Sequence, residues 1–594
     1  MKRKEKKNNT NPTRIKATLI IFLLVFFLLG VQLFRRMVVQ SDFLKVRAES
    51  QSLNQVKITP KRGSILDRNG RELAVSADVY KVSLDLVAME EYCTRYKKTK
   101  EDISNKISES LGLENDKVFA MFDKRDGNGR LLRGMPLVGK VEKNKIDKLK
   151  DIRKKEKYNF VIIENDSLRV YPNNNFLAHA LGIVNLEDEG VFGLEKYYDK
   201  ELTGVPGIRI SEMDKNSYEL PYEDAIYTEP INGKDLALTV DENIQYAAEA
   251  IADKAMKDNK AKGVTIIVSN PKNGEILAMV NKPDFNPNDP RKGITNNDEL
   301  QHLWRNKAVN DVFEPGSTFK IVTTSAALEE KLTFVDDSFY CKGFSIINGV
   351  RLNCWKPEGH GAQKLIDILE NSCNPGFVEL GKRLGQEKLN KYIYDFGFGK
   401  PLGIDLTGEA AGIIKPADKM TDLDLATIAF GQTDAVSAIQ VLAALNTIMN
   451  DGIYTTPHFM KEVFSVDKHG EKTKVGEYEE KNQRQVISKS TANEVARMLE
   501  ETVSKGSGKQ AYIEGYGIAG KTGTAEKANI GGKGYSEKKY ASFVGAAPYN
   551  DPKVSVFIGI DEPEKEYFGG IIASPVAKEL FEEIFNQLAI KPEQ

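Results

Sequence analysis

Residues 313–320 read FEPGSTFK and place a serine and a lysine three positions apart, directly after a proline and a glycine. Pro315 favours the start of a helix, and residues three apart on a helix share one face. We therefore expect the amine of Lys320 to lie beside the hydroxyl of Ser317. A serine hydroxyl is a weak nucleophile until a base takes its proton, and a lysine can be that base where desolvation or nearby positive charge lowers its pKa.

Each short motif in this chain is weak by itself. The S-x-x-K pattern recurs at residues 536–539 inside the polar segment GYSEKKY, where we expect a charged surface turn. A second motif, Ser372-Cys373-Asn374, ends a helical pattern; its serine can relay a proton and its amide can hydrogen-bond a substrate backbone. That S-x-N pattern also recurs, at residues 52–54.

The third motif, Lys521-Thr522-Gly523-Thr524, occurs once. Its glycine lets a strand approach a ligand closely, while its lysine and threonines offer a cation and hydroxyls to a carboxylate. S-x-x-K, S-x-N and K-T-G in this order form the signature of penicillin-binding proteins and serine β-lactamases. The order therefore carries more weight than any one of the three motifs.

Longer stretches add to these motifs. They are RGSILDRNGRELA (62–74), RVYPNNNFLAHALGIVN (169–185), GVFGLEKYYDKELTG (190–204), FEPGSTFK (313–320), IAFGQTDAVSAIQ (428–440) and GGIIASPVAKEL (569–580). With them the chain resembles the class B, or monofunctional, penicillin-binding proteins from residue 15 onward. The resemblance implies an α+β fold. A transpeptidase domain similar to serine β-lactamases, with an antiparallel sheet and helices, would follow an elongated mixed α/β pedestal and a single N-terminal transmembrane helix.

The resemblance also implies a reaction, the cross-linking of peptidoglycan stem peptides by acyl transfer from D-Ala-D-Ala donors. Ser317 would attack the carbonyl of the penultimate D-Ala, with Lys320 as the base and Ser372 relaying the proton to the leaving amine. An acceptor amine of a neighbouring stem would then resolve the acyl-enzyme. β-Lactams mimic D-Ala-D-Ala and would acylate Ser317 without prompt release.

The other motif residues would hold the substrate. Backbone N–H groups of Ser317 and Thr524 would form the oxyanion hole. The remaining roles implied by the resemblance are substrate-backbone binding by Asn374, positive potential from Lys521, and binding of the terminal carboxylate at Thr522, Gly523 and Thr524.

The N-terminus is strongly polarised. Basic residues precede or open an apolar run at residues 15–34, and they are Lys2, Arg3, Lys4, Lys6, Lys7, Arg14 and Lys16. Roughly 20 helical residues reach about 30 Å, the thickness of a bilayer's hydrocarbon core. A cleavable signal peptide is the alternative, but it has a shorter apolar part and ends in small residues, whereas Phe34-Arg35-Arg36 follows here. We expect an uncleaved anchor in the bacterial cell membrane, with a cytoplasmic N-terminus and an extracytoplasmic catalytic domain.

In the rest of the chain, the pattern of predicted strands and helices changes near residues 230–234. Before this point, after an expected polar stalk helix over residues 38–56, short β-like runs alternate with turns, and Asn69-Gly70 predicts a hairpin. After it, strands, helices, strands and a last helix give an α+β order with an antiparallel sheet. The predicted domains are a cytoplasmic basic tail (1–14), a transmembrane helix (15–36), a stalk and dimerisation-type pedestal (37–230) and a penicillin-binding transpeptidase domain (231–594).

Cys341, Cys354, His360 and Cys373 lie close in sequence around the S-x-N motif. Three cysteines and a histidine make a structural zinc set, although their spacing is looser than in a zinc finger. A Cys341–Cys354 disulfide and simple buried thiols are the alternatives. Some class B relatives of the elongation and sporulation type have a zinc site built from this stretch. We expect structural Zn²⁺ that pins the loop bearing Ser372, and no cofactor for catalysis itself.

Composition and motifs narrow the partners and functions. The net charge of -1 gives no sign of a nucleic-acid partner. A serine β-lactamase is disfavoured by the pedestal, the anchor and the lack of a recognisable deacylating carboxylate motif, and a β-lactam sensor by the lack of an H-E-x-x-H motif. A D,D-carboxypeptidase differs only in using water as the acceptor, and it stays open. Since no glycosyltransferase-like module precedes residue 230, we expect a multi-spanning polymerase partner that supplies glycan derived from lipid II.

Overall fold

The computed structural model describes residues 12–44, 53–212, 226–529 and 534–592. They form two compact units, one within Met1–Pro60 and Val205–Ile231 and the other within Lys61–Gly204 and Asn232–Gln594. The α-helices with described bounds are α1 (Pro12–Phe34), α2 (Leu86–Tyr96), α3 (Lys100–Leu111), α4 (Asn115–Met121), α5 (Lys143–Glu156), α6 (Ala178–Leu181), α7 (Gly193–Tyr197), α8 (Asp199–Thr203), α9 (Glu242–Asn259), α10 (Asn297–Trp304), α11 (Lys307–Asn310), α12 (Lys320–Glu329), α13 (Leu365–Glu370), α14 (Asn374–Asp395), α15 (Asp422–Ile428), α16 (Ala438–Met449), α17 (Lys489–Ser504) and α18 (Gly569–Gln587).

The β-strands are spread over both units. They are β1 (Leu53–Ile58), β2 (Ile65–Leu66), β3 (Glu72–Leu84), β4 (Met135–Val141), β5 (Val161–Val170), β6 (Ile183–Val184), β7 (Gly190–Phe192), β8 (Gly207–Glu212), β9 (Ile226–Thr228), β10 (Asp235–Leu238), β11 (Gly263–Ser269), β12 (Ile276–Lys282), β13 (Ser338–Cys341), β14 (Phe344–Ile347), β15 (Val350–Asn353), β16 (Gly361–Lys364), β17 (Ile453–Tyr454), β18 (Met460–Val466), β19 (Lys472–Glu477), β20 (Arg484–Gln485), β21 (Ala519–Ala528), β22 (Tyr535–Ala547) and β23 (Val554–Asp561).

The first unit begins with an apolar helix. α1 continues into a π-helical turn at Arg35–Val39, and no residue of this stretch is buried. Within the described ranges, Pro12–Val39 is the one helix long and apolar enough to cross a membrane. The helix is consistent with the predicted single-pass membrane anchor.

The expected stalk helix over residues 38–56 is wrong at its C-terminal end. Leu53–Ile58 forms β1, which pairs antiparallel with β8, and β9 adds to the other side of β8. The sequence LNQVKI suits a strand as well as a helix, and the strand that satisfies its backbone groups lies far along the chain. Residues 45–52 lie outside the described residues, so that part of the stalk stays a prediction.

The second unit contains a seven-stranded sheet in the order β19-β18-β10-β2-β3-β4, with β5 also paired to β3. The hairpin predicted at Asn69-Gly70 is confirmed, since Ile65 pairs with Ala74 across this turn. β2 also pairs in parallel with β10. The predicted boundary at residues 230 and 231 lies between these two strands, so the sheet takes strands from both predicted domains.

A buried ion cluster lies beside this sheet, with Glu195 at its centre. The two oxygens of Glu195, a fully buried residue, accept from Arg62 Nε at 2.7 Å and from Arg169 Nε at 2.6 Å. Asp199 accepts from the same Arg62 at 2.8 Å. Because buried charges are tolerated only with close partners, these bonds fix the segments around residues 62, 169 and 195 to one another.

A five-stranded antiparallel sheet, in the order β12-β11-β23-β22-β21, lies between two hydrophobic cores. Ile266 of β11 packs in the core that contains α9 and α18, whereas its neighbour Ile267 packs in the core that contains α16. The alternation of side chains along a strand explains this division. The predicted α+β class, with helices around an antiparallel sheet, is confirmed. β21 lies at one edge and carries the third motif.

Candidate active site

Ser317 lies in a 3-10 turn, Gly316–Phe319, that leads directly into α12. The helix start expected after Pro315 is therefore confirmed. Gly316 has φ +55°, and a Cβ at this position would lie 2.9 Å from the carbonyl oxygen of Thr524. A glycine here lets the turn that carries Ser317 touch β21.

Ser372 lies between the serine and the lysine of the first motif. Its hydroxyl donates to Ser317 Oγ at 2.8 Å, and Lys320 Nζ donates to Ser372 Oγ at 3.2 Å. Lys320 Nζ also donates to the carbonyl oxygen of Ser372 at 2.9 Å and to Asn374 Oδ1 at 2.8 Å. Four of the predicted catalytic residues thus form one hydrogen-bonded group, in which Lys320 reaches Ser317 through Ser372.

The amine of Lys320 is fully buried. Burial lowers its pKa to about 7, while the thiols of Cys373 and Cys354 act in the opposite direction. A general base works best when its pKa is close to the operating pH. Lys320 therefore meets the condition that a lysine base requires.

The loop that carries Ser372 joins α13 to α14 and has a left-handed backbone at that residue, with φ +51°. Such a conformation costs on the order of 1–3 kcal/mol for a residue with a side chain, so contacts must hold it. Trp355 Nε1 donates to the carbonyl oxygen of Asn371 at 2.8 Å, and Asn374 Nδ2 donates to that of Asn353 at 3.1 Å. The end of β15 and the residues just after it support the loop through these bonds.

The third motif brings a second lysine to the same place. Lys521 is fully buried. Its pKa lies well below the usual value, mainly because of burial and to a smaller extent because of the nearby Lys320 ammonium. Thr524 Oγ1 accepts from the backbone N–H of Gly569 at 3.0 Å, which leaves the hydroxyl proton of Thr524 free for an anion. The lysine and hydroxyls that are predicted to bind a carboxylate therefore lie together on β21, beside the turn that carries Ser317.

Gly523 is explained by packing within the protein, whereas the prediction from the sequence is a close approach of the strand to a ligand. A Cβ at Gly523 would lie 2.4 Å from Ser542 Oγ and 2.9 Å from Thr318 Cγ2. The glycine thus allows β21 to pack against the turn that carries Ser317. Close approach to a ligand is not required to explain it.

The repeated copies of the motifs lie elsewhere. Ser536 and Lys539 lie on β22, where Ser536 Oγ donates to the carbonyl oxygen of Lys527 at 2.9 Å and Lys539 pairs with Glu526. The charged surface turn predicted there is wrong, because pairing with β21 extends through this segment. The S-x-N copy at residues 52–54 begins outside the described residues.

Cys341, Cys354, His360 and Cys373 come together, with one ligand atom from each within 4.8 Å of the others. The three cysteines are free thiols. His360 Nε2 is buried without a hydrogen-bond partner, and His360 Nδ1 lies 3.6 Å from Cys354 Sγ. In a tetrahedral site, Zn–S bonds of about 2.3 Å place the ligand atoms roughly 4 Å apart. The donor set, the spacing of the ligand atoms and the 3.6 Å from Cys354 Sγ to His360 Nδ1 therefore fit a Cys₃His zinc site.

Two residues around this cluster have no clear sequence signal. Gln363 Nε2 donates to Cys373 Sγ at 3.3 Å, and Gln363 Oε1 accepts from Asn371 at 3.0 Å. The ring of Trp355 lies edge-on to His360, with centroids 5.4 Å apart. Only their position among the cysteines and the S-x-N motif connects them with the site. Groups that surround metal ligands orient those ligands, and these two also contact the loop of Ser372.

Comparison with known proteins gives the family. The model of the "Penicillin binding protein transpeptidase domain" matches residues 264–582, and that of the "Penicillin-binding Protein dimerisation domain" matches residues 57–238. The chain belongs to the class B penicillin-binding proteins. Both predicted parts of a class B protein, the pedestal and the transpeptidase domain, have their own matching family model.

Individual class B relatives match along nearly the whole chain. Stage V sporulation protein D of Bacillus subtilis (strain 168) is 36% identical over 587 residues, which are 98% of this chain and 87% of that protein. Peptidoglycan D,D-transpeptidase FtsI of Buchnera aphidicola is 30% identical over 97% of this chain and 94% of its own length. The crystal structure of penicillin binding protein 2X from Streptococcus thermophilus shares the fold. Its TM-score is 0.72 at 23% identity, over 91% of this chain and 83% of that one.

Proposed function

We propose that this penicillin-binding protein is a serine D,D-transpeptidase that cross-links peptidoglycan stem peptides and is acylated by β-lactams. The observation that carries the proposal is the hydrogen-bonded chain from Lys320 through Ser372 to Ser317. A nucleophile, a base with a lowered pKa and a hydroxyl between them are the groups that acyl transfer needs. The similarity to a protein named peptidoglycan D,D-transpeptidase supports the same reaction.

In the acylation step, Ser317 Oγ attacks the carbonyl carbon of the penultimate D-Ala of the donor. Its proton moves to the neutral amine of Lys320 by way of the Ser372 hydroxyl. When the tetrahedral intermediate collapses, the C–N bond to the terminal D-Ala breaks, and the proton returns through Ser372 to the leaving nitrogen. The products are an ester on Ser317 and free D-Ala, and Lys320 is neutral again.

The charge that develops in this step is stabilised from β21. The oxyanion accepts from the backbone N–H groups of Ser317 and Thr524, as the contact between residue 316 and Thr524 supports. The terminal carboxylate of the donor binds the hydroxyls of Thr522 and Thr524 at Gly523, while Asn374 holds the donor backbone. An arriving carboxylate favours the protonated form of Lys521, because an opposite charge raises the pKa of a lysine.

In the second step, the amine of an acceptor stem attacks the ester. Lys320 takes the proton of that amine, and Ser317 Oγ regains a proton through Ser372 as it leaves. The result is a new amide bond between two stems and a free enzyme. Water in place of the acceptor amine gives D,D-carboxypeptidase activity at the same site.

The proposed location follows from the sequence around α1. The basic residues before this helix support a cytoplasmic N-terminus, so the residues after it are extracytoplasmic. We assign residues 37–230 to the stalk and pedestal and residues 231–594 to the transpeptidase domain. The sequence before residue 230 contains no recognisable glycosyltransferase-like module, so in this proposal a multi-spanning polymerase partner makes the glycan strands from lipid II.

We also propose that Cys341, Cys354, His360 and Cys373 hold a structural Zn²⁺. With four protein ligands the ion has no open position, so it supplies no chemistry to acyl transfer. Cys373 is adjacent to Ser372, and a fixed Cys373 fixes the backbone of the relay serine. The 3.6 Å between Cys354 Sγ and His360 Nδ1 supports this assignment, because Zn–S and Zn–N bonds of about 2.3 and 2.1 Å place two such ligand atoms about that far apart.

The proposed function is tested by labelling the full-length protein and Ser317→Ala with fluorescent penicillin, followed by an assay with a D-Ala-D-Ala donor stem and an acceptor amine. We expect label on the wild type, none on Ser317→Ala, and a cross-linked product. Label that survives in Ser317→Ala excludes Ser317 as the nucleophile. A donor stem that loses its terminal D-Ala without forming a cross-link identifies a carboxypeptidase. Repeated hydrolysis of a chromogenic cephalosporin identifies a β-lactamase. Labelling without any product identifies a β-lactam sensor.

A further inference from the structure

Glu314 lies three residues before Ser317, and one of its carboxylate oxygens accepts hydrogen bonds from two distant segments of the chain. Its Oε1 accepts from the backbone N–H of Thr433 and from the hydroxyl of Tyr535, each at 3.0 Å. Its Oε2 is buried and has no hydrogen-bond partner. Burial raises the pKa of Glu314, and the two hydrogen bonds act in the opposite direction. A partly desolvated carboxyl group costs free energy, and here the two hydrogen bonds to Oε1 offset part of that cost.

The first of the two segments is the turn that contains Thr433. This turn runs beside the nucleophile turn, since Gly316 N–H donates to the carbonyl oxygen of Gly431 at 2.8 Å. On the other side of Glu314, Phe313 and Val436 exchange both backbone hydrogen bonds at 2.9 Å. The carboxylate of Glu314 accepts from Thr433, which lies between Gly431 and Val436, the two residues of the turn held by these backbone hydrogen bonds.

Thr433 depends on that bond because of its backbone. Its φ is +81°, a value that a β-branched residue adopts only where neighbouring contacts hold it. Its hydroxyl lies 2.7 Å from Thr427 Oγ1, and its N–H is taken by Glu314. Removing the carboxylate leaves the N–H without its acceptor and frees the turn to relax.

The second segment is the start of β22, where Tyr535 lies. β22 pairs with β21 along its length, with Ala541 opposite Thr524. Phe313, next to Glu314, stacks on Tyr540 of the same strand with ring centroids 4.3 Å apart. The residues directly before the nucleophile are therefore fixed to the hairpin that contains Thr524.

These contacts determine the spacing of two backbone groups. A Cβ on Gly316 would lie 2.9 Å from the carbonyl oxygen of Thr524 and 3.5 Å from its nitrogen. The nucleophile turn and β21 are thus in van der Waals contact at the point where Ser317 follows. A small shift of residues 313–316 changes the distance between the N–H groups of Ser317 and Thr524.

We propose that Glu314 is a positioning residue that holds the N–H of Ser317 and the N–H of Thr524 in place as one oxyanion hole. This inference rests on the proposed acyl transfer at Ser317. The hydrogen bonds of Glu314 go to Thr433 and Tyr535, which lie outside the three motifs, so in this proposal its effect falls on the transition state, where the oxyanion exists. It therefore changes the acylation rate constant k2 and not the dissociation constant Kd of the initial complex.

The test measures k2 and Kd for a fluorescent penicillin by stopped flow on the full-length protein. For Glu314→Ala we expect k2 to fall about 10- to 100-fold and Kd to change less than about twofold. A fall of this size is typical when catalytic groups are displaced by up to about 1 Å. Glu314→Gln keeps an oxygen that accepts from both donors, so it recovers most of k2. Tyr535→Phe removes one donor, and we expect a fall of about 3- to 10-fold. Glu387→Ala, at an exposed glutamate of α14, serves as the matched control with wild-type values.

An unchanged k2 in Glu314→Ala overturns the proposal. So does a change in Kd alone, or a Glu314→Gln variant as slow as Glu314→Ala. Thermal unfolding is recorded for every variant, and if Glu314→Ala does not fold, Tyr535→Phe decides, with an unchanged k2 overturning the role of Glu314. A wild type that is not acylated at Ser317 refutes the proposed function instead, which keeps the two failures apart.

Discussion

The hydroxyl of Ser372 donates to Ser317 Oγ at 2.8 Å, so the nucleophile and the relay are in contact before substrate arrives. The same Ser372 oxygen accepts from Lys320 Nζ at 3.2 Å. Ser372 thus connects Ser317 with the buried amine, and in the proposed mechanism both hydroxyls reverse these hydrogen bonds so that the proton of Ser317 reaches Lys320 through Ser372. These two contacts support the proposal that the S-x-N serine takes part in proton transfer, in addition to any contact it makes with substrate.

Replacing Ser372 by alanine interrupts this route. We expect k2/Kd for a penicillin to fall about 10²- to 10⁴-fold, the usual contribution of a positioned proton-transfer group. Ser338→Ala, at an exposed serine of β13, is the control and should acylate like the wild type. A wild-type rate in Ser372→Ala would show that Lys320 takes the proton from Ser317 directly.

The pH dependence of acylation follows from Lys320. Burial lowers its pKa to about 7, and only the neutral amine accepts a proton. The rate should therefore rise with pH through about 7 and level off above it, falling about tenfold for each pH unit well below that value. Measuring k2/Kd from pH 5.5 to 9 at constant ionic strength tests this. A profile that stays flat down to pH 5.5 would rule out a lysine with this pKa as the base.

Much of the site was predictable from the sequence because the reacting groups lie in short motifs. Ser317 and Lys320 are three residues apart on one turn, and the order of the motifs separates them from other copies of S-x-x-K, such as that at residues 536–539. The sequence could not show that Lys320 contacts Ser372 and Asn374. That arrangement depends on how the loop after α13 packs against α12, which no local pattern encodes.

Long-range pairing accounts for the errors in the fold. The sequence predicts that residues 53–56 continue the stalk helix, but they belong to β1, whose partner strand β8 begins at Gly207. Residues 536–539 were expected in a turn, but pairing with β21 makes them part of β22. In both cases a polar, mixed sequence suits more than one local structure. The choice is made by backbone hydrogen bonds to a segment outside the local window.

Loss of the proposed zinc should loosen the loop of Ser372. Cys341→Ser should lower the zinc content of the purified protein from about one ion per chain to none, because three ligands bind much more weakly than four. Acylation should slow as well, since Cys373 adjoins the relay serine. Cys93→Ser, at a cysteine outside the cluster, should keep both the metal and the rate.

The same experiment has an optical readout in Trp355, one of two tryptophans in the chain. In a Trp304→Phe background, chelation should change the emission of Trp355, whose ring lies 5.4 Å from that of His360. Wild-type protein without zinc would contradict the assignment. A Cys341–Cys354 cross-linked peptide in its digest would establish the disulfide in its place.

The last prediction concerns stability and the buried Glu195. Its two oxygens accept from Arg62 and Arg169, so Glu195→Ala leaves two buried guanidinium groups without their shared counter-charge. We expect the free energy of unfolding to fall by about 3–5 kcal/mol, measured by urea denaturation of the full-length protein in detergent. Glu164→Ala, at an exposed position of β5, should change it by less than about 0.5 kcal/mol. Penicillin labelling in the absence of urea should stay at the wild-type level, because the hydrogen-bond partners of Glu195 are not members of the active site. A loss below about 1 kcal/mol would mean that water solvates the two guanidinium groups or that a rearranged Asp199 pairs with them.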